Sequence, residues 1–217
     1  MARLSLTAKI ALGFAAGFAS FIIAAKIFPA YIVDGSSMEP TLNDESIQFG
    51  FTLDRDLDRY SIYTAKIPNR NGSISIKRLV GLPGDMLTFS KNSFRLLSVN
   101  GESLSAKDNN AIPTMVLTSK SDSQKKYYTV PKNIIVGDFS FNIYEAKAAS
   151  DDAGDIEFMK TQIYASWIKE NGQEKEDSFE VTVPEGHVFM LSDNLPGSRD
   201  SRETGPYPIE NVISKIL

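Results

Sequence analysis

The stretch VDGSSMEPTL (residues 33–42) places two adjacent serines directly after the only long apolar run of the chain. Most serines in proteins are solvated or hydrogen-bond to the nearby backbone, so a serine in a linker has no special meaning by itself. The alternative is a nucleophile held close to a membrane surface. The sequence on either side of the stretch has to distinguish between the two.

The apolar run before the serines predicts a membrane segment. Residues 10–25 (IALGFAAGFASFIIAA) are apolar apart from Ser20, and residues 27–33 continue the run after Lys26. A helix of the first part alone would be about 24 Å long, which is short for a hydrocarbon core of about 30 Å. With the Lys26 ammonium extended toward the headgroups, the combined run is long enough to span.

The charges before the run predict its orientation. Arg3 and Lys9 precede it, which favours a cytoplasmic N-terminus with the remaining chain on the outer face. A cleaved signal peptide is the alternative interpretation, because it also combines a basic start, an apolar middle and small residues near its end. We favour an uncleaved single-pass anchor, because so little chain separates the run from the serines.

Composition excludes several classes of chemistry. The 217 residues carry a net charge of −4, so no basic field predicts a nucleic-acid partner. The absence of cysteine excludes thiol catalysis, disulfides and cysteine-based zinc sites, and the single histidine, His187, excludes a multi-histidine metal site. No metal or organic cofactor is implied by the function that the motifs described below indicate.

After the apolar run the sequence is typical of a mainly β protein, with strand patterns more frequent than helical ones. Met86–Val99 predicts a hairpin that turns at Lys91-Asn92. The other segments with strand character are 46–53, 60–67, 73–80, 134–144, 156–168 and 181–191. Polar clusters separate the strand-like pieces between 101 and 180. We predict an anchor (1–30), a catalytic antiparallel β core (31–100 and 181–217) and a β-rich insertion (101–180).

A serine nucleophile needs a base. His187 lies in a strand pattern, where it is most simply a half-exposed residue. A lysine can replace histidine only when it is neutral, which requires burial that lowers its pKa. Lys77 lies in the strand SISIKRLV, but strict alternation puts it with Ser75 and Leu79, opposite Ile76. Alternation alone therefore predicts that Lys77 faces solvent.

Three segments together resemble the type I signal peptidases, a family of serine proteases with a Ser/Lys dyad. The segment GSSMEPTL resembles the nucleophile box of that family, and IKRLVGLPGD its lysine box. The C-terminal segment SDNLPGSRDSRETGPYPIENVISKIL resembles its third box. The order of the boxes and the preceding anchor also agree, and the resemblance covers residues 1–90 and 181–217.

The resemblance implies a catalytic role for three side chains. Ser37 corresponds to the nucleophile, Lys77 to the general base and Ser198 to the serine that orients the lysine. The backbone N–H of Ser37 corresponds to one oxyanion donor. Gly35 stands where some members have a serine that supplies the second donor, so the source of that donor in the region of Gly35 stays open.

The resemblance also implies two supporting charge pairs, Arg78 with Asp193 and Asp200 with Arg202. Their value is expected to lie in positioning the C-terminal loop, because buried ion pairs contribute little net stability. One departure from the family falls in this loop, where Ser192 replaces the usual glycine.

An extended substrate can bind by adding as a strand between exposed edges. The strands that lead into the dyad, residues 31–35 and 73–76, are the natural edges. Side-chain alternation then assigns Val33, Ile76 and Met38 to the walls of the substrate pockets.

The sequence therefore predicts a monomeric enzyme that removes signal peptides from exported preproteins at the outer face of a bacterial plasma membrane. The resemblance implies small residues at the first and third positions before the cut. A specialised leader peptidase for pilins or conjugation, and a non-catalytic membrane-tethered module that binds peptides, remain alternatives. Penicillin-binding chemistry is a weaker one, because SWIK (166–169) and SDN (192–194) occur without the Lys-Thr-Gly motif.

Overall fold

The computed structural model describes residues 5–54, 56–68, 70, 72–118, 124 and 126–217. In chain order its elements are α1 (Leu6–Ile27), β1 (Ala30–Ile32), β2 (Ile47–Phe51), β3 (Ile62–Lys66), β4 (Ile74–Gly81), β5 (Met86–Ser90), β6 (Leu96–Val99), β7 (Glu102–Ser103), β8 (Ser105–Asp108), β9 (Met115–Thr118), β10 (Lys126–Val136), β11 (Phe139–Ala148), α2 (Ala153–Thr161), α3 (Ser166–Asn171), β12 (Gln173–Glu174), β13 (Ser178–Thr182), β14 (His187–Leu191), α4 (Ser201–Thr204), β15 (Tyr207–Pro208) and β16 (Val212–Ile216).

The strands form three antiparallel sheets, which confirms the predicted mainly β fold. The largest sheet has seven strands in the order β1-β2-β16-β3-β4-β14-β15. A five-stranded sheet has the order β12-β13-β5-β6-β7, and a four-stranded sheet joins β11, β10 and β8, with β9 also paired to β10. The lysine box begins on β4 of the seven-stranded sheet, and the nucleophile box lies in the turn that follows β1 of the same sheet.

Helix α1 is the one element of the described residues that is long and apolar enough to cross a membrane. An 18-residue window of this 22-residue helix has a mean hydropathy of 2.0, and no residue of the helix is buried. The predicted continuation of the span through residues 27–33 is wrong, because the helix ends at Ile27 and Pro29 leads into β1. The length comes from the other end, where Ser5 caps the helix by accepting a hydrogen bond from Ala8 N–H. Arg3, used to predict the orientation, lies outside the described residues.

The end of α1 is joined to the catalytic sheet by direct contacts. Thr52, just after β2, donates from its backbone N–H to Ile27 O at 3.0 Å and from its hydroxyl to Lys26 O at 3.1 Å. The rings of Phe28 and Phe51 stack with centroids 5.3 Å apart. The free C-terminal carbonyls of the helix are thereby satisfied by the sheet rather than by a flexible linker.

The core lies between the sheets. Leu87, Phe89 and Phe189 are fully buried there, and each such side chain contributes about 1.5–3 kcal/mol of transfer free energy. The sheets meet closely at Gly81, where an added Cβ would lie 2.8 Å from Val183 Cγ2 and 3.0 Å from Phe189 Cβ. The glycine that ends β4 therefore sets how closely the catalytic strand packs on the core.

Most of the predicted strands are present in the structure. The hairpin from Met86 to Val99 forms with the expected turn, as β5 and β6 pair from Leu87 opposite Val99. The segment 134–144 is divided between β10 and β11 by a turn at Gly137, which has a φ of +53°. Within 181–191, the residues from Pro184 to Gly186 form a turn between β13 and β14.

The prediction of a strand at 156–168 is wrong, because this segment contains most of α2 and the first half of α3. Asp152 caps α2 by accepting a hydrogen bond from Gly154 N–H at 2.7 Å. Phe158 then packs edge-on against Tyr127 of β10, with ring centroids 5.6 Å apart. A capped N-terminus and one docked aromatic face favour a helix over strand pairing.

The predicted division between the catalytic core and the insertion stays a prediction. Residues 102–103 (β7) and 173–180 (β12 and part of β13) were assigned to the insertion, but they share one sheet with β5 and β6 of the core. The four-stranded sheet, by contrast, is built entirely from residues within 101–180.

Candidate active site

The site begins with two side chains from neighbouring parts of the large sheet. Ser37 lies in the turn that follows β1, and Lys77 lies in β4. Lys77 Nζ is 2.9 Å from Ser37 Oγ and 2.8 Å from the carbonyl oxygen of Ile76. The structure therefore brings the predicted nucleophile and the predicted base into direct hydrogen-bond contact.

Lys77 is buried, with 4% of its surface exposed, so the solvent-facing position predicted from alternation is wrong. Lys77 does share a face with Leu79, as alternation requires, but Leu79 is itself fully buried in a cluster with Tyr63 and Met190. The opposite face of β4 is buried too, at Arg78 and Val80. From Lys77 onward the strand is covered on both faces, so alternation no longer indicates exposure.

Burial also changes the charge state of Lys77. Its pKa is lowered from the ordinary 10.5 to about 8, chiefly because burial disfavours the ammonium form. The negative charges of Asp200 and Asp193 oppose this by raising the pKa, and Arg202 lowers it further. A lysine with this pKa is neutral in an appreciable fraction of molecules near neutral pH, which a general base requires.

Arg78 and Asp193 form a buried bidentate ion pair beside the dyad. Arg78 Nε donates to Oδ1 of Asp193 at 2.8 Å, and its NH2 donates to Oδ2 at 2.5 Å. Arg78 also donates to Tyr60 O and lies 4.3 Å over the ring of Phe141. Thr41, four residues after Ser37, donates to the same carboxylate. The pair therefore joins the lysine strand, the C-terminal loop and the nucleophile segment.

Asp200 and Arg202 form a second pair that is fully buried. Arg202 donates to both carboxylate oxygens of Asp200, from Nε at 2.9 Å and from NH2 at 2.8 Å. Asp200 also accepts from Ser192 N–H at 2.9 Å, and Arg202 NH2 donates to Leu195 O at 3.3 Å. The pair holds the two ends of the loop together, and as a buried ion pair its contribution is positional more than stabilising.

Ser198 is buried in the same region and lines the groove with the dyad. Among the described residues, no hydrogen bond joins Ser198 Oγ to Lys77 Nζ. Gly197, with a φ of +71°, precedes it and donates from its backbone N–H to Gln162 O at 2.7 Å. That bond places the loop, and with it Ser198, on the segment between α2 and α3.

The geometry around Gly35 bears on the oxyanion hole. Gly35 N–H donates to Oδ1 of Asp44 at 2.7 Å, and the same oxygen accepts from Glu45 N–H at 3.0 Å. Gly35 N–H is therefore already engaged. In the part of the chain that the structure describes, Ser37 N–H has no hydrogen-bond partner, so it is free to donate to an oxyanion.

A groove of about 670 Å³ runs past the dyad. It contains the three predicted pocket residues, Val33, Met38 and Ile76, which also pack against one another in a small apolar cluster. Tyr31, Ile32 and Ile74 also line it and lie within the predicted edges 31–35 and 73–76, whereas sequence reasoning missed Ile67, Arg70 and Arg199. Arg70 and Arg199 are exposed polar residues on loops, and no sequence pattern connects them to the dyad.

Both walls of the groove are strand edges. β1 is the terminal strand of the large sheet, and it pairs only with β2. β4 is an inner strand, but β14 pairs with it only from Arg78 onward, so residues 74–77 have a partner on one side only, in β3. The gap between β1 and the first half of β4 has the form that an added strand would fill.

Comparisons with known proteins identify the family. The family described as "Signal peptidase, peptidase S26" matches residues 4–217. The chain belongs to the signal peptidase family, peptidase S26. Members of this family are peptidases that remove signal peptides, and the N-terminal apolar helix is consistent with a membrane anchor.

Individual relatives are distant. Signal peptidase I of Buchnera aphidicola subsp. Acyrthosiphon pisum is 27% identical, over 92% of this chain and 70% of that protein. Signal peptidase I of Streptococcus pneumoniae serotype 4 is 26% identical, over 84% of this chain and 77% of that protein. A crystal structure of a signal peptidase I from Enterococcus faecalis V583 has 24% identity and a TM-score of 0.37, covering 75% of this chain and 97% of that one.

Other candidate bases in this signal peptidase family member lie elsewhere. His187 is at the opposite end of β14 from the C-terminal loop, where its Nδ1 contacts Glu185 O at 2.9 Å, and it does not line the groove. In the SWIK segment, the Ser166 hydroxyl donates to Glu203 and the Lys169 ammonium lies over the ring of Phe94. Neither arrangement forms a serine–base pair.

Sequence reasoning missed Asn194, which contacts both serines of the nucleophile turn. Its backbone N–H donates to Ser37 O at 3.0 Å, and its side-chain Nδ2 donates to Ser36 O at 3.1 Å. The available signal was its position next to Asp193 in the C-terminal box. The position of Asn194 in the sequence does not indicate that its side-chain amide contacts the nucleophile turn.

Proposed function

We propose that this chain is a membrane-anchored signal peptidase that cleaves preproteins through a Ser37/Lys77 dyad and an acyl-enzyme. The observation that carries the proposal is the 2.9 Å contact between Lys77 Nζ and Ser37 Oγ at the base of a strand-edged groove. The lowered pKa of Lys77 supports it, because a base has to be neutral before it can accept a proton.

The reaction follows from this placement. Neutral Lys77 accepts the proton of the Ser37 hydroxyl as Oγ attacks the scissile carbonyl. Ser37 N–H donates to the oxyanion of the tetrahedral intermediate. Lys77 then gives its proton to the departing amine, which leaves the signal peptide as an ester on Ser37. Lys77 next removes a proton from water, the resulting hydroxide attacks the ester carbonyl, and Lys77 returns that proton to Ser37 Oγ as the signal peptide leaves with a free carboxyl group.

Supporting roles belong to residues around the dyad. We propose that Ser198 orients the lysine amine once substrate fills the groove. The pairs Arg78–Asp193 and Asp200–Arg202 hold the C-terminal loop against the lysine strand, and none of these residues takes part in proton transfer.

The proposed substrate is the end of a signal peptide in extended conformation. It adds as a strand between residues 31–35 and 73–76, and its alternate side chains enter pockets walled by Val33, Met38 and Ile76. Because Val33 and Met38 are almost fully buried, little room remains beside them. Small residues at the first and third positions before the cut fit this space.

The proposed location is a bacterial plasma membrane, with α1 spanning it once, the N-terminus in the cytoplasm and the β sheets on the outer face. An exposed surface next to the end of α1 supports contact with lipid. We name it the apolar face, and it consists of Ile32, Ile47, Phe49, Leu53 and Leu217. These side chains are between 55% and 74% exposed, which is unusual for large apolar residues that lie together. The proposed enzyme acts as a monomer.

The test is a set of dyad variants assayed on a model preprotein, with the position of the cut determined by mass spectrometry. Ser37→Ala, Lys77→Ala and the double variant should all lose nearly the same activity, because groups that act as one unit are not additive. Lys77→Arg should also be inactive, since a guanidinium does not deprotonate. His187→Ala is the matched control and should keep most of its activity. Activity that survives in Lys77→Ala but is lost in His187→Ala would show that the base is misassigned.

A further inference from the structure

One residue of the C-terminal loop holds both serines of the nucleophile turn. Asn194 lies between Asp193 and Leu195, and it is itself almost fully buried. Its backbone N–H donates to Ser37 O and its side-chain amide donates to Ser36 O. Neither bond involves a reacting atom, so neither has a role in the reaction steps above.

The bond to Ser36 O acts on the proposed oxyanion donor. Ser36 O also accepts from Glu39 N–H at 3.1 Å inside the turn, so the Asn194 amide is its second donor and the one that comes from the C-terminal loop. The carbonyl of Ser36 and the N–H of Ser37 belong to the same trans peptide, whose six atoms are coplanar. In such a unit the C=O and the N–H point in opposite directions. By holding Ser36 O, Asn194 Nδ2 therefore directs Ser37 N–H away from the loop. Donation to the carbonyl also polarises the peptide, which strengthens its N–H as a donor.

The position of Asn194 is in turn set by strand β11. Tyr144 of β11 donates from its N–H to Asp193 O at 2.8 Å and accepts at its carbonyl from Leu195 N–H at 3.0 Å. These two bonds enclose Asn194 and form a parallel bridge between it and Tyr144. β11 is the outer strand of the four-stranded sheet, and part of its outer edge is used to hold the loop at this point.

We propose that Asn194 is a positioning residue of the oxyanion hole, which orients the N–H of Ser37 through the Ser36–Ser37 peptide. The inference rests on the proposed function, because it concerns the intermediate of that reaction. It also gives strand β11, which lies within the predicted insertion, an indirect part in catalysis through Asn194. An oxyanion donor acts on the transition state more than on bound substrate, so its misorientation lowers kcat and leaves KM unchanged.

The experiment uses the full-length protein in detergent micelles, with a peptide substrate that carries alanine at the first and third positions before the cut. Asn194→Asp is nearly isosteric but replaces the donor with an acceptor, and Asn194→Ala removes the group. We expect kcat to fall about 10- to 100-fold in both variants, with KM within about twofold of wild type. A peptide aldehyde, whose adduct with Ser37 carries an oxyanion, should lose affinity by the same factor as kcat/KM.

Two further measurements separate positioning from folding. Asn109→Ala is the matched control, because the Asn109 amide donates to Asn142 Oδ1 at 2.8 Å and contacts neither serine; its kcat should equal that of wild type. The midpoint of the pH–rate profile should be the same in Asn194→Ala, in Asn109→Ala and in wild type, since these variants change no charge near Lys77. If Asn194→Asp unfolds, Asn194→Ala carries the test.

Wild-type kcat in both Asn194 variants would overturn the inference, and so would a rise in KM with kcat unchanged. Failure of the proposed function is visible separately, as wild-type protein that does not cut the peptide, and it would overturn this inference as well.

Discussion

At the scale of single residues, Lys77 determines how the rate depends on pH. Its pKa of about 8 implies that about a tenth of the molecules hold a neutral lysine at pH 7. We expect kcat/KM to rise about tenfold per pH unit below pH 8 and to level off above it. The measurement is a pH–rate profile on a peptide substrate without ionisable side chains. A midpoint near 10, or a profile that is flat from pH 6 to 9, would exclude a buried lysine base.

The same residue lowers stability, and this leads to a second prediction. A pKa lowered from 10.5 to about 8 corresponds to about 3 kcal/mol of unfavourable free energy for burying the ammonium. Lys77→Met keeps the packing and removes the charge, but it leaves Ile76 O without a donor. We expect the free energy of unfolding of this inactive variant to be about 1–2 kcal/mol higher than that of wild type at pH 7.

The stability difference between Lys77→Met and wild type should depend on pH in a definite direction. Between pH 8 and 10.5 the unfolded wild-type chain binds more protons at this lysine than the folded chain, so wild-type stability rises with pH. The advantage of Lys77→Met should therefore be complete below pH 8 and disappear as the pH approaches 10.5. Chemical denaturation at pH 7 and pH 10 measures both values. Lys66→Met, an exposed lysine of β3, is the control and should match wild type at each pH.

The residues of the dyad were identifiable from the sequence, but their surroundings were not. Ser37 and Lys77 stand in short segments whose order and composition indicate serine chemistry. The burial of Lys77 was not predictable from alternation, because it depends on a cluster that includes Met190 from a strand more than a hundred positions away. The contacts of Asn194 and of Asp44 depend on loop geometry in the same way.

At the scale of secondary-structure elements, we expect the two edges of the groove to determine specificity. Ile76→Ala and Val33→Ala should each enlarge a pocket and relax the requirement for small side chains. We expect discrimination to change by about 1–3 kcal/mol, which is roughly tenfold or more. The measurement is cleavage of a substrate series with alanine, valine or leucine at the first and third positions before the cut. Ile47→Ala on β2, outside the groove, is the control, and an unchanged ranking in both pocket variants would exclude these strands as the binding site.

The strands were easier to predict than the helices of the insertion. β2, β3 and β4 follow β-rich runs bounded by turn residues, and their local pattern agrees with their partners in the sheet. The segment 156–168 has apolar residues at spacings that fit either a strand or a short helix. Its helical state depends on the Asp152 cap and on the ring of Tyr127, which is contributed by another part of the chain.

At the scale of the whole molecule, the apolar face predicts how the enzyme meets its substrate. Phe49→Ser combined with Ile47→Ser should weaken lipid contact without changing the groove, because both side chains are exposed on β2. We expect kcat/KM on a membrane-inserted preprotein in vesicles to fall about tenfold, given about 25 cal/mol for each Å² of apolar surface removed from water. Cleavage of a soluble peptide should be unchanged.

The matched control for this prediction is Phe139→Ser, which changes an equally exposed phenylalanine on β11. It should behave as wild type in both assays. An equal loss on the soluble peptide in the Phe49/Ile47 variant would mean that these residues act on the catalytic sheet and not through lipid.

In the proposed membrane orientation, the joint between α1 and β2 fixes the distance of the active site from the bilayer surface. Since Thr52 and the Phe28–Phe51 stack bind the end of the helix to the sheet, the Ser37 hydroxyl stands at one height above the bilayer surface. An extended chain advances about 3.3 Å per residue, so each residue inserted between a preprotein's apolar helix and its cleavage site carries the bond that far past a stationary nucleophile. The proposed function therefore selects the bond twice, once by the size of the flanking side chains and once by their distance from the membrane.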